Sequence, residues 1–239
     1  MRTRVWPVIL AAAAAVAWVQ LAGVHWAART WTVVLLVVVP ALMVAQGRAL
    51  RDVATIPRTQ AYVSSILSLW LLVAATIGVS FASGYAAADL GLVHVGALRT
   101  IAIATLLTVA GITTLFLFRL AGMTEAPIMR ELIPVTAQER VLFVGVSLTA
   151  GICEEIIFRG FLIHVLHGAT GSLLIALLLS SGAFGVSHAY QQPAGALRAT
   201  LLGLLLALPL VIDGSVVPAM VGHAVIDVIG GLWLAKRLL

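Results

Sequence analysis

The stretch GICEEIIFRG, residues 151–160, places two glutamates and an arginine inside an otherwise unbroken apolar run. A charged side chain at the centre of a membrane helix costs roughly 2.5–3.5 kcal/mol on insertion scales, so three charges this close together require a structural or chemical reason. On a helix Glu155 and Arg159 are i and i+4 with the acid N-terminal, the favourable order for an ion pair. Glu154 points about 100° away around the helix and has no partner at helical spacing. The segment therefore separates a pair suited to structural support from one carboxylate whose use lies elsewhere in the chain.

The rest of the sequence supplies a membrane around it. Hydrophobic residues make up 62% of the 239 and charged residues 10%, against roughly 25% charged in a soluble domain. This composition defines a polytopic membrane protein. A single cysteine, Cys153, excludes an intrachain disulfide framework. The net charge of +5 comes from scattered arginines and one lysine. Such an excess fits anchoring of cytoplasmic loops and gives no reason to expect a nucleic-acid partner. The bias toward alanine, arginine and leucine with almost no lysine suggests a GC-rich bacterial source.

Apolar stretches of about 17–25 residues can cross a bilayer as helices. Eight are expected here, near residues 5–23, 31–47, 61–82, 100–118, 139–166, 171–188, 196–212 and 216–235, giving an all-α membrane fold of about eight spans. The first begins MRTRVWPVIL and is similar to a signal peptide, but its apolar run exceeds the usual 7–15 or so residues without a convincing cleavage site, so it is read as a retained anchor. The polar stretch 119–138, with Pro127 and Pro134, divides an N-terminal half (1–118, about four spans) from a C-terminal half (139–239, about four spans). The second half holds nearly all the intramembrane ionisable residues.

With the N-terminus inside, Arg2, Arg4, Arg48, Arg51, Arg58, Arg119, Arg130, Arg140, Arg198, Lys236 and Arg237 fall on the cytoplasmic side, and only Arg29 and Arg99 outside. This asymmetry predicts a multi-pass protein of the inner (cytoplasmic) membrane with both termini in the cytoplasm. The segment GRALRDVATIPRTQ, 47–60, is too polar to cross and is expected at the cytoplasmic surface.

Two further segments carry ionisable groups into the membrane. The sixth span ends FGVSH, with Phe184 and His188 four residues apart, and its Ser180, Ser181, Gly182, Gly185 and Ser187 allow close approach of a neighbouring helix. The eighth contains HAVID, in which His223 and Asp227 share a helix face. If the three spans converge, they form a polar chamber suited to hydrolysis of a peptide by activated water: a desolvated glutamate can act as general base, histidine can orient the water, and donors are needed for the developing oxyanion. Spacing selects these residues without choosing the reaction.

EEIIFR at 154–159, FGVSH at 184–188 and HAVID at 223–227 resemble, in order and spacing, the EExxxR, FxxxH and Hxxx(N/D) motifs of the CAAX protease and bacteriocin-processing intramembrane proteases, which include the type II prenyl endopeptidases. The resemblance covers roughly residues 136–235, and the eight-helix architecture of that family agrees with the span count. It implies that Glu154 activates a water with help from His188, and that His223 and residue 227 stabilise the oxyanion. It implies supporting roles for Glu155, Arg159 and Phe184, with neither metal nor cofactor. The prenyl endopeptidases carry Asn at the last motif position, where this chain has Asp227. An ionised aspartate only accepts hydrogen bonds, which leaves open a role in orienting His223 or binding a metal.

Plainer roles stand beside these. Glu155 with Arg159 can be a buried packing pair, and His223 with Asp227 likewise. Cys153 fits a small buried hydrophobe better than a nucleophile. His25, His94, His164 and His167 fall near span ends, and Asp213 with Gly214 reads as a turn. Depth is a further constraint. At ~1.5 Å per residue Glu154 lies ~21 Å from Arg140 and His223 ~10 Å from the opposite face, which agree in a ~30 Å core. His188 falls only a few Å from the cytoplasmic end of its span, so either the fifth helix begins in the cytoplasm or the sixth begins later than Gly171. The leading function is a glutamate-dependent, metal-independent intramembrane endopeptidase acting on a peptide or membrane-protein tail, lipidated or not. The alternatives are a metal-dependent membrane protease, a proton-coupled transporter, and a non-catalytic immunity or scaffold protein. HExxH spacing is absent, which disfavours a common zinc peptidase. Paired broken helices in inverted repeats are absent too, which disfavours a transporter.

Overall fold

A chain segment in hydrocarbon must satisfy its own backbone hydrogen bonds, so each apolar segment is driven to helix. The computed structural model describes residues 5–49, 57–123 and 127–235, and these contain helices and turns with no strand. Eight apolar helices follow the eight sequence segments in order: α1 (Val5–Gln20), α2 (Trp26–Ala49), α3 (Arg58–Ala82), α4 (Ala97–Leu120), α5 (Ala137–Thr170), α6 (Leu173–Ser187), α7 (Ala189–Asp213) and α8 (Val217–Leu234). Six are long and apolar enough to cross a membrane, while α1 and α6 are shorter. Arg2, Arg4, Arg51, Lys236, Arg237 and residues 50–56 of the polar stretch 47–60 lie outside the described residues.

Two boundaries differ from the expected ones in the direction that brings His188 toward the depth of Glu154. Helix α5 has 34 residues, ~51 Å of helix at 1.5 Å per residue, more than a ~30 Å hydrocarbon core requires. Its start is fixed by a capping box: the Thr136 hydroxyl accepts from the Glu139 amide (3.2 Å), and the Glu139 carboxylate accepts from the amides of Thr136 (2.9 Å) and Val135 (2.8 Å). Helix α6 begins two residues beyond Gly171 and has only 15 residues, ~22 Å, so it ends short of a full crossing. His188 is its C-cap.

Helix α5 is the centre of the packing. Its first part lies against α3 and α8, and its second part against α6. From Glu155 to Leu162 it widens into a π-helix whose eight residues are all buried, Phe161 and Leu162 fully. Such widened turns are frequent at functional sites. The Ser180 hydroxyl donates to the Phe158 carbonyl (2.5 Å), tying α6 to this segment. Helix α8 also packs on α4, and α6 on α7 and α2.

Helices α1 and α2 form an antiparallel pair with an arginine–tryptophan contact at each end. Arg48 lies over the Trp6 ring (5.3 Å), and Arg29 lies over Trp18 (4.0 Å) while donating to its carbonyl (2.7 Å). Asp213 precedes a left-handed Gly214 (φ 64°), as its turn signal predicts, and also receives both donors of the Arg99 fork (2.5 and 3.1 Å), pinning the end of α7 to the start of α4. Arg198, near the start of the 196–212 segment, is buried within α7 and donates to Gln191 (2.8 Å).

Candidate active site

The site forms where the π-helical segment of α5 meets α8. At the crossing, Gly151 lies so close to α8 that a Cβ there would sit 2.7 Å from the Met220 carbonyl oxygen and 2.9 Å from the Ala224 amide nitrogen. One turn further along α5 comes Glu154, and between the two contact points on α8 comes His223. Gly151→Val is therefore expected to push the helices apart, lowering both the thermal midpoint and any activity. Wild-type values of both in the purified variant would refute this account of the crossing.

Around His223 the contacts are specific. Its Nδ1 lies 2.8 Å from the Glu155 carboxylate, and its Nε2 lies 3.7 Å from carboxylate oxygens of both Glu154 and Asp227. A carboxylate accepts, so Nδ1 carries the hydrogen and Nε2 is the nitrogen turned toward the other two acids. Glu155 also meets Arg159 at 3.1 Å, and both side chains are essentially fully buried. Glu155 thus supports the i,i+4 pair visible in the sequence and, through tertiary packing, holds the histidine of α8. The Glu154 side chain is 14% exposed and that of Asp227 37%. These two acids, rather than Glu155, are the ones a water or substrate can reach.

Phe184 is the aromatic hub between the two histidines. Its ring lies 4.6 Å from that of His188, 6.1 Å edge-on from His223 and 5.2 Å from Phe158, with the Arg159 guanidinium 4.2 Å above it. Arg159 also donates from Nε to the Gly203 carbonyl on α7 (3.4 Å). The Nδ1 of His188 is 2.9 Å from the Phe184 carbonyl, which can only accept. His188 therefore donates from Nδ1 and presents Nε2 as an acceptor. The two histidines have opposite dispositions: one faces an acidic wall, and the other offers a lone pair.

Of the small residues in α6, Gly185 is the close-approach position, where a Cβ would collide with Thr200 of α7, whereas Gly182 faces open space. Cys153 is buried beside Glu154. His25 lies at an interhelical end, facing the Ser83 hydroxyl at 3.2 Å. Among the described residues, no three His, Cys, Asp or Glu side chains are arranged to hold a metal ion. What sequence reasoning missed is the bond from Glu155 to His223, which spans 68 residues and leaves no local signal.

These features define a class: an all-helical, multi-pass membrane protein with an acid–histidine cluster enclosed between helices. Residues 136–229 match the family model described as Type II CAAX prenyl endopeptidase Rce1-like. That match supports the likeness of this region to the CAAX-type intramembrane proteases of the CAAX protease and bacteriocin-processing family. No curated protein and no solved structure matches the chain.

Proposed function

We propose that the chain is an intramembrane endopeptidase in which Glu154 activates a water against a peptide carbonyl. The supporting observation is the placement of Glu154 and Asp227 at equal distance from His223 Nε2, with Glu155 occupying Nδ1. In this reading the Glu154 carboxylate takes a proton from water, with the acceptor Nε2 of His188 helping to orient it. The hydroxide adds to the carbonyl carbon, and the resulting oxyanion is met by Nε2–H of protonated His223. Collapse breaks the C–N bond, and the departing nitrogen takes the proton from Glu154. Asp227, 3.7 Å from Nε2, favours the protonated ring by its charge, a role open to an ionised aspartate where donation is not. Glu155, Arg159 and Phe184 support the arrangement.

The family description points to a peptide or membrane-protein substrate, with a prenylated C-terminus as one candidate. Comparative proteomics of peptide termini in cells carrying the wild type or Glu154→Gln is the direct test. Termini that depend on Glu154 are expected, and their absence would falsify the hydrolytic reading. Metal independence is tested on such a substrate in proteoliposomes: cleavage is expected to survive exhaustive chelation, and loss restored by a divalent ion would transfer water activation to a metal.

The same reading locates the chain in the inner membrane with both termini cytoplasmic, supported by the arginine asymmetry. In a Cys153→Ala background, Met123→Cys is expected to be shielded from an impermeant maleimide added outside intact spheroplasts, and His94→Cys to be labelled. The reverse pattern would invert the topology.

A further inference from the structure

The 3-10 turn that opens α7 carries polar side chains that this hydrolytic scheme leaves unused. Tyr190 and Gln191 follow His188 in a single 3-10 turn, Ala189–Gln191. The Tyr190 ring stacks on that of His188, with centroids 6.0 Å apart and planes at 30°. Tyr190 is half-buried and within electrostatic range of both Glu154 and Asp227. Gln191 folds back between two partners: its Oε1 accepts from Arg198 Nη2 (2.8 Å), and its Nε2 donates to the Tyr190 hydroxyl oxygen (3.0 Å).

The direction of this relay follows from chemistry. A guanidinium has only donors, so the atom of Gln191 facing Arg198 must be the carbonyl oxygen, and the amide nitrogen must face Tyr190. The tyrosine oxygen is therefore an acceptor in that bond, and its own hydrogen remains for a third group. A chain of bonds running one way polarises its members, which makes the terminal O–H a better donor.

The turn is also held in place. Gln192 adopts φ 67°, a left-handed conformation rare for a residue with a side chain, which persists only where surrounding structure enforces it. Gly195, one turn on, leaves the space that the Gln191 side chain fills, since a Cβ there would sit 3.1 Å from Oε1 and closer still to Gln191 Cβ.

We propose that Tyr190 is a further catalytic residue, donating its hydroxyl hydrogen bond to the carbonyl oxygen of the scissile peptide as that atom becomes an oxyanion, with Gln191 and Arg198 as positioning residues. The inference rests on the hydrolytic reading above. It supplies the donor that an ionised Asp227 cannot, so that the oxyanion is met by Tyr190 Oη–H on one side and His223 Nε2–H on the other. No proton is transferred from the tyrosine, which stays neutral throughout.

The test uses full-length protein in proteoliposomes with a purified parent protein of a Glu154-dependent terminus. Loss of one oxyanion donor costs about 10²–10³-fold in kcat, and Tyr190→Phe is expected to show about 10²-fold with KM and thermal midpoint unchanged. Gln191→Glu keeps the shape and strengthens the contact to Arg198, but it turns the partner of Tyr190 from donor to acceptor and draws the hydroxyl hydrogen away from the site. It should lower kcat in the same direction, and adding it to Tyr190→Phe should cost nothing more. Wild-type kcat in either single variant, or a rise in KM with kcat unchanged, overturns the proposal while leaving the role of Glu154 standing. Absence of any Glu154-dependent terminus overturns both.

Discussion

Glu154→Gln is expected to lower kcat by about 10²–10⁴-fold, the range a positioned general base contributes, while thermal stability and helix content stay at wild-type values. The separation of the two effects follows from where this carboxylate sits. Glu154 is partly exposed, and its nearest charged partner is His223 at 3.7 Å, beyond hydrogen-bond distance. The amide therefore breaks no short bond and leaves no buried cation bare. Nor can it take a proton from water, so the chemical step loses its base while binding keeps its contacts. Measured kcat and KM on a reconstituted substrate distinguish this from a packing role, which would move KM and the midpoint together. Activity within about tenfold of wild type would assign the base elsewhere, and among the described residues Asp227 is then the other acid that faces His223 Nε2.

The contrast between adjacent glutamates also explains what a sequence can reveal here. Hydropathy locates eight apolar helices because the bilayer acts on every residue of a span at once, and a shift of two residues at an end does not alter the signal. The Glu155–Arg159 pair is visible because its geometry is internal to one helix. The bond from Glu155 to His223 is not, since it depends on how close α5 comes to α8, and that is set by Gly151 meeting the Met220 carbonyl. The end of α6 is hidden from the sequence for a related reason. An apolar run records where hydrocarbon is tolerated, whereas the end of α6 is set by its backbone bonds, closed at Ser187 and followed by a tight turn. Arg198 shows the same limit, because a count of cations assigns it a side of the membrane while its burial and its bond to Gln191 are set by packing.

Arg159→Met is expected to lower stability by about 3–5 kcal/mol, the cost of stranding one member of a buried ion pair. Glu155 would be left fully buried with its charge answered, among the described residues, by His223. Unfolding in mixed micelles, followed by helix signal against denaturing detergent, measures the loss. Replacing both charges in Glu155→Leu/Arg159→Met removes the stranded acid, and stability should return toward wild type, since apolar residues of similar volume commonly substitute for a buried pair without loss. Activity should not return with it. Without Glu155 the Nδ1–H of His223 has no acceptor at 2.8 Å, so the ring is free to turn and Nε2 is no longer aimed between Glu154 and Asp227. A stable double variant with low kcat makes Glu155 a positioning residue as well as a packing one. A stable double variant with wild-type kcat would reduce the EExxxR motif of this chain to one working glutamate and a replaceable pair, and His223 would have to be oriented by Asp227 alone.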